Sequence, residues 1–421
     1  MKTIQQSLHG APLSERAETE IVSEIPHLSA CDGGVSTTET REGCRLEVRG
    51  TKRASFIEYH LTGTIEGSGD GATVDRLLGL VAEAIADRRI QPMQEKLFGR
   101  PGVRADILKR REAQYRRQEL DLSVPVTWVV GTPLQESEFV GVQVWGIAPV
   151  GGGTSVTTVE NPVTGRGRLW TGKGFRILYL PFVRGMNSGG ALAGDAPAQA
   201  DQMFTNAELG LKAHGMAYRN VVRTWIYLAR LLEWYGDFNR VRTAHYRQAG
   251  VRVAGGPVFP ASTGIQGRYA DEECMMDVLA LETDGPGSAA AVPIIHSPRQ
   301  DSSFNYGSAF SRGMTFQIEG KRSVHISGTA SINPAGESVH VGDAEMQSLE
   351  TLMCIAAILA EQGGSLQDVT SATLYCKDRN AWDAWNRVTR LLQIPTFPKI
   401  CVLADVCRHD LLVEMEVVAT I

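Results

Sequence analysis

The chain has seven cysteines but no CxxC pair, and none of Cys31, Cys44, Cys274, Cys354, Cys376, Cys401 or Cys407 has a companion histidine at zinc-site spacing. They read as reduced thiols, and no metal is expected. A sustained basic run is also missing. With a net charge of -5 this argues against a dedicated nucleic-acid surface. The cluster Lys109, Arg110, Arg111, Arg116 and Arg117 has only Tyr115 as an aromatic neighbour and reads as a solvated helix face. Apolar runs such as 77–82 and 354–360 are far too short to cross a bilayer, so no membrane partner is expected. Residues 1–30 carry Lys2, Glu15, Arg16, Glu18 and Glu20 without an apolar core, which excludes a signal peptide and makes the cytoplasm the expected compartment. The glycines at 151–153 neither open a helix nor precede a Lys-Ser/Thr pair, so they do not read as a phosphate cradle.

What is present is an ordered series of short amphipathic elements. A chain of 421 residues exceeds one ordinary core and suggests roughly three units at about 150 residues each. Residues 1–43 are polar and lack periodicity, so they read as an arm, with regular structure expected from Cys44. Strands are expected over 45–48 and 55–61, helices over 73–86 and 106–117 joined by a connecting segment, then strands over 124–130 and 139–147. The Gly/Thr-rich tract 151–173 reads as a linker or long loop. A strand over 176–180, a helix over 202–216, a buried strand over 221–228, a helix over 233–248 and a strand over 275–282 follow. The last third gives strands over 315–318 and 324–327, a turn over 328–331, a helix over 344–361, a strand over 369–376, a helix over 381–392 and two terminal strands. The expected division is an arm 1–43, a degenerate module 44–150, a second module 151–290 and a third module 291–421.

Residues repeat as well as element order. Asn220-Val221 and Ile226-Tyr227 match Asp368-Val369 and Leu374-Tyr375 at a constant offset of 148, and His60 to Thr64 matches His325 to Thr329 at 265. Three related α+β modules are therefore expected. The final strand alternates with period two, setting Leu411, Val413, Met415 and Val417 on one face and Glu414 and Glu416 on the other. Two readings of that face are open: a solvated strand surface, or a closed site in which each carboxylate raises the other's proton affinity.

The third module, through Ser327-Gly328-Thr329, Asn333 to Gly336, Leu374 to Asp378 and the pattern from Cys401 to Glu416, resembles the Rid/YjgF superfamily, also labelled endoribonuclease L-PSP. The wider set, including Arg223 to Leu228, Pro260 to Ile265, Ser297 to Gln300, Tyr306-Gly307 and Phe310 to Arg312, is similar to its chorismatase branch. The resemblance covers about residues 200–421. It implies an α+β fold of three Rid/YjgF-like (chorismate mutase-like) modules forming an internal pseudo-trimeric β-barrel with helices outside, hence a monomer, with a homo-trimer as the other arrangement. It also implies a cofactor-independent hydrolase that binds a small carboxylated metabolite and releases pyruvate from chorismate or a related enol ether.

By the same resemblance Glu414 is the general acid, with a structural ion pair as the competing reading. Arg223 and Arg312 are candidate carboxylate anchors or structural ion pairs, Tyr306 a hydrogen-bond donor or a packing residue, and Thr329 a further binding residue. Cys407 is either a residue that shapes the intermediate or a buried thiol. Cys401, His325 and His409 read as structural. Lys399, a further candidate binding residue, stands where Rid imine deaminases carry a carboxylate-clamping arginine. Lysine lacks the planar fork, which weighs against the alternative of a 2-imino acid deaminase. A non-catalytic ligand-binding protein is the third reading.

Overall fold

The computed structural model describes residues 34–253, 256–267, 271–284 and 291–421. The expected arm up to residue 33, with Cys31, and the boundary at residue 290 lie outside them. Three six-stranded mixed sheets repeat one topology. The first is built from β1 (Gly34–Arg41), β2 (Cys44–Lys52), β3 (Phe56–Ile65), β4 (Gln91–Gly99), β5 (Thr127–Val130) and β6 (Phe139–Pro149), in the order β1-β2-β3-β6-β4-β5. The second contains β7 (Ser155–Asn161), β8 (Gly165–Gly172), β9 (Phe175–Arg184) and β10 (Val221–Leu228). After the two-residue strands β11 (Arg252–Val253) and β12 (Gly256–Pro257), which pair with each other, come β13 (Ala261–Gln266) and β14 (Cys274–Thr283). The order is β7-β8-β9-β14-β10-β13. The third has β15 (Ala291–Ile294), β16 (Gly313–Ile318), β17 (Lys321–Ala330), β18 (Val369–Cys376), β19 (Lys399–Leu403) and β20 (Val413–Thr420), ordered β15-β16-β17-β20-β18-β19. In each sheet the last strand inserts at the centre and one parallel pair closes an edge.

Each parallel connection needs a crossover, and helices supply them. These are α1 (Gly71–Asp87) and α2 (Arg104–Arg117) in the first module, α3 (Ala196–Lys212) and α4 (Leu231–Gln248) in the second, and α5 (Ala344–Glu361) and α6 (Arg379–Leu391) in the third. The helix after the third strand of every module starts at an aspartate, Asp70, Asp195 or Asp343, whose carboxylate accepts the backbone N–H three residues on. The apolar stripe of α1, with Leu77, Leu78, Val81 and Ile85, covers one face of the first sheet.

The other faces of all three sheets meet in a common core containing Trp145, Trp170, Trp225, Tyr227, Phe316 and Tyr375. Backbone pairing is not continuous around this core. Among the described residues, pairing between sheets comes down to isolated bridges such as Thr132 with Leu403 and Ala261 with Ser311 and single backbone bonds such as Gln266 N–H to the Asp405 carbonyl, so it is mainly side chains that hold the ring together. Among the described residues no helix is long and apolar enough to cross a membrane.

Four local readings differ from the structure. Regular structure already begins at Gly34, because Val35 to Thr40 complete an edge hairpin with β2 despite their polar character. The segment between α1 and α2 holds β4, whose mixed sequence QPMQEKLFG hides a strand buried on both faces. The tract 151–173 contains the β7–β8 hairpin, in which threonines favour strand and only Gly165 turns with positive φ. Residues 328–330 continue β17 instead of turning, since Thr329 and Ala330 pair with Met415 and Glu414.

Candidate active site

The strand β20 runs between two cores. Met415 and Val417 pack under α5 and α6 with Leu352, Ile355 and Trp385. Glu414 and Glu416 point the other way, toward the shared interior, and are only 4% and 6% exposed. The solvated-face reading is therefore set aside.

The two carboxylates have different partners. Glu416 Oε2 accepts from Arg223 Nη2 at 2.7 Å, and the same nitrogen donates to Thr263 Oγ1 at 2.6 Å. Among the described residues Glu414 has no ion-pair partner, and it lines a cavity instead. Burial pushes its carboxyl up to about 8, Glu416 adds to the rise, and Arg223 opposes it. At neutral pH Glu414 holds its proton. Gly328 makes room for it, since a Cβ there would run into Glu414 Oε1. The same glycine's N–H donates to Thr263 Oγ1 at 3.1 Å, which ties β17 to the edge strand β13 of the second module.

The cavity, of about 40 Å³, lies in the cleft between the second and third modules. Glu414, Tyr306, Arg312 and Cys407 all line it, together with Tyr235 and Arg242 from α4, Ser262 and Gly264 from β13, and Arg408. Among the described residues none of the three guanidiniums has an acidic partner. Arg312 donates from Nε and Nη2 to the Asp301 carbonyl at 2.9 and 2.7 Å. Arg242 donates to Asn239 at 2.5 Å and leaves its Nε without a partner although the residue is only 1% exposed. Arg408 reaches Ser338 at 3.3 Å. The Tyr306 hydroxyl is likewise buried and unpartnered, with Arg312 and Arg408 against its ring at 5.4 and 5.5 Å. Burial, followed by the nearness of Glu414, pushes the Cys407 thiol up to about 12, so it stays protonated.

Three other expected residues lie elsewhere. Arg223 sits behind the cavity, fully buried and committed to Glu416, which makes it an ion-pair partner and not a wall. The Thr329 hydroxyl donates to the Ser327 carbonyl at 2.9 Å and does not line the cavity. Lys399 lines a different cleft, between the third and first modules, with Cys401. The sequence reading missed Tyr235 and Arg242. Their seven-residue spacing, with Phe238 between, puts an arginine on an aromatic helix face, and that pattern was the available signal.

Residues 308–421 match the family model described as Endoribonuclease L-PSP. A 97-residue stretch is 34% identical to the 3-aminoacrylate deaminase RutC of Acinetobacter baylyi, covering 23% of this chain and 77% of that protein. It is 32% identical over 97 residues to a RutC family protein of Pyrococcus abyssi, covering 23% of this chain and 76% of that protein. The fold is similar to a crystal structure of chorismatase over 78% of this chain and 92% of that one, with a TM-score of 0.54 and 20% identity.

Proposed function

The chain belongs to the endoribonuclease L-PSP (Rid/YjgF) family, and on that premise we propose that it is a chorismatase-like enzyme releasing pyruvate from chorismate or a related carboxylated enol ether. One observation carries the reading: a buried Glu414, whose proton affinity burial raises, shares a cavity with three guanidiniums that no acidic side chain among the described residues neutralises. A buried charge without a counter-ion is costly, and arginine forks suit carboxylates, so a carboxylated ligand relieves the cost.

In the proposed reaction Glu414 gives its proton to the enol methylene carbon, leaving an oxocarbenium ion at the ether-bearing carbon. Water adds to that carbon, and the resulting hemiketal breaks its C–O bond to the ring, giving pyruvate and the ring alcohol. Glu414 is re-protonated from the proton that water gives up. The negative charge left on Glu414 after transfer faces Arg223 behind it and so stabilises the cation in front. A cavity of about 40 Å³ holds roughly three waters. It takes the enolpyruvyl carbons and one carboxylate and leaves the ring at the mouth beside Tyr306 and Arg408. Cys407 and Tyr235 face the intermediate from the wall and bear on its fate.

The imine-deaminase alternative has weaker support. It asks for a strand-borne cation beside the acid, and here Lys399 and Glu414 occupy separate clefts. The test is incubation with chorismate, reading pyruvate by coupled reduction, with Glu414→Gln in parallel. The reading expects release by the wild type and a loss on the order of a hundredfold or more in the variant. Wild-type release no faster than the enzyme-free control overturns it.

A further inference from the structure

The cleft between the third and first modules holds a cavity of about 240 Å³, larger than the one at Glu414, and the reaction proposed above makes no use of it. Lys399, at the start of β19, lines this cavity half-buried. Among the described residues no carboxylate lies within ion-pair distance of its amine, and its one aromatic contact is the Phe397 ring at 5.5 Å. One neighbouring pair of charges is matched, because Arg45 Nη2 donates to Glu47 Oε1 at 3.0 Å. Leu134, Val140, Trp382 and Phe397 supply an apolar and aromatic wall.

That combination is not an anion site. Its guanidinium pairs with Glu47 through Nη2 and keeps a buried Nε without a partner, Glu66 adds a second negative charge to the lining, and Lys399 supplies a primary amine. An amine kept out of ion pairs against apolar surface is how lysine becomes a nucleophile toward carbonyl carbon. Desolvation lowers the proton affinity of Lys399, which enlarges the fraction of free amine near neutrality.

We propose that this cleft is a second site, independent of Glu414, in which Lys399 captures a small apolar aldehyde or ketone as a reversible imine. The Nζ lone pair attacks the carbonyl carbon and its π electrons pass to oxygen. The carbinolamine then takes up a proton and loses water, leaving a protonated C=N. Its positive charge lies near Glu47 and Glu66, while the hydrocarbon part of the ligand rests on Trp382 and Phe397.

The test is reductive trapping with benzaldehyde and sodium cyanoborohydride, which delivers hydride to the imine carbon and fixes a benzyl group on nitrogen. Intact mass and peptide mapping then locate the label. In the wild-type protein one benzyl group maps to Lys399, and its yield persists to lower pH than labelling of surface lysines. Lys399→Arg removes that label, Cys401→Ser and Glu414→Gln retain it, and pyruvate in place of benzaldehyde labels Lys399 poorly. Label spread over other lysines without enrichment at Lys399 overturns the site. Pyruvate labelling Lys399 as readily as benzaldehyde overturns the assigned ligand class. Mapping on the unaltered chain settles the location whether or not a variant folds.

Discussion

Two clefts related by the same topology have been given opposite chemistry. In the cleft between the second and third modules, Ser262 and Gly264 occupy the edge strand and Glu414 the facing central strand. In the cleft between the third and first modules, Lys399 and Cys401 hold the corresponding edge positions. This follows from register, because Ile265 pairs with Tyr227 as Val402 pairs with Tyr375. The facing central strand there is β6, FVGVQVWGIAP, which contains no carboxylate. One cleft has the acid and imports its cations from α4 and the loops, and the other has a strand-borne amine without the acid. The residues that a cleft of such a ring presents are set by which modules meet, and internal triplication lets each seam diverge alone.

The comparison breaks most sharply at Glu414. Glu414→Gln removes the transferable proton with little change in shape, and a loss on the order of a hundredfold to ten-thousandfold in pyruvate release is expected from steady-state assays. Activity surviving the change would mean that the first cleft is not special.

Next come the imported cations. Arg242→Met keeps the side chain's bulk and deletes the charge, so KM for a carboxylated substrate should rise by an amount equivalent to about 2–5 kcal/mol. An unchanged KM would place the carboxylates elsewhere.

Gly328→Ala forces a Cβ into the Glu414 carboxyl and is expected to cost about 1–3 kcal/mol in stability, read by denaturant unfolding, and to lower kcat as well. No residue change in the second cleft should produce that combination.

The smallest effect expected is a shift along the pH axis. With the Glu414 carboxyl raised to about 8, the proposed reaction should lose kcat as pH climbs through that value. Glu416→Gln removes the like charge and frees Arg223, so the alkaline limb should move to lower pH. The sign for stability is the same. Between the ordinary carboxylate range and about 8 the folded chain holds a proton that the unfolded chain has released. Stability from Glu414 is therefore full at low pH and falls as pH rises, by on the order of a few kcal/mol. Wild type should lose stability relative to Glu414→Gln across that window in urea titrations, and parallel curves would contradict the buried acid.

Much of this was legible in the chain itself. The offset of 265 between His60 and His325 is also the offset between the starts of β3 and β17, and the offset of 148 aligns β10 with β18. Strongly periodic segments such as α5 and β18 have the bounds their patterns suggest. The failures share a cause. β4 is buried on both faces, so it lacks alternation, and β1 and β7 are polar edge strands whose pairing comes from neighbours and not from their own apolar content. In the site, strand residues were found because period two marks a face, whereas Arg242 and Tyr235 come from a helix of another module, whose aromatic face does not by itself say which strand it meets.

The sequence by itself determined two things, an α+β triplicate and the two-carboxylate face of the last strand, and the family resemblance added a candidate set of Glu414, Arg223, Tyr306, Arg312, Thr329, Lys399 and Cys407. The first two are properties of spacing and residue type along the chain. Tertiary structure alone decided that Glu416 is spent on Arg223 while Glu414 keeps a proton, and that Lys399 belongs to another cleft. Those outcomes depend on burial and on distances across module seams, and a charge's proton affinity is set by what surrounds it in space.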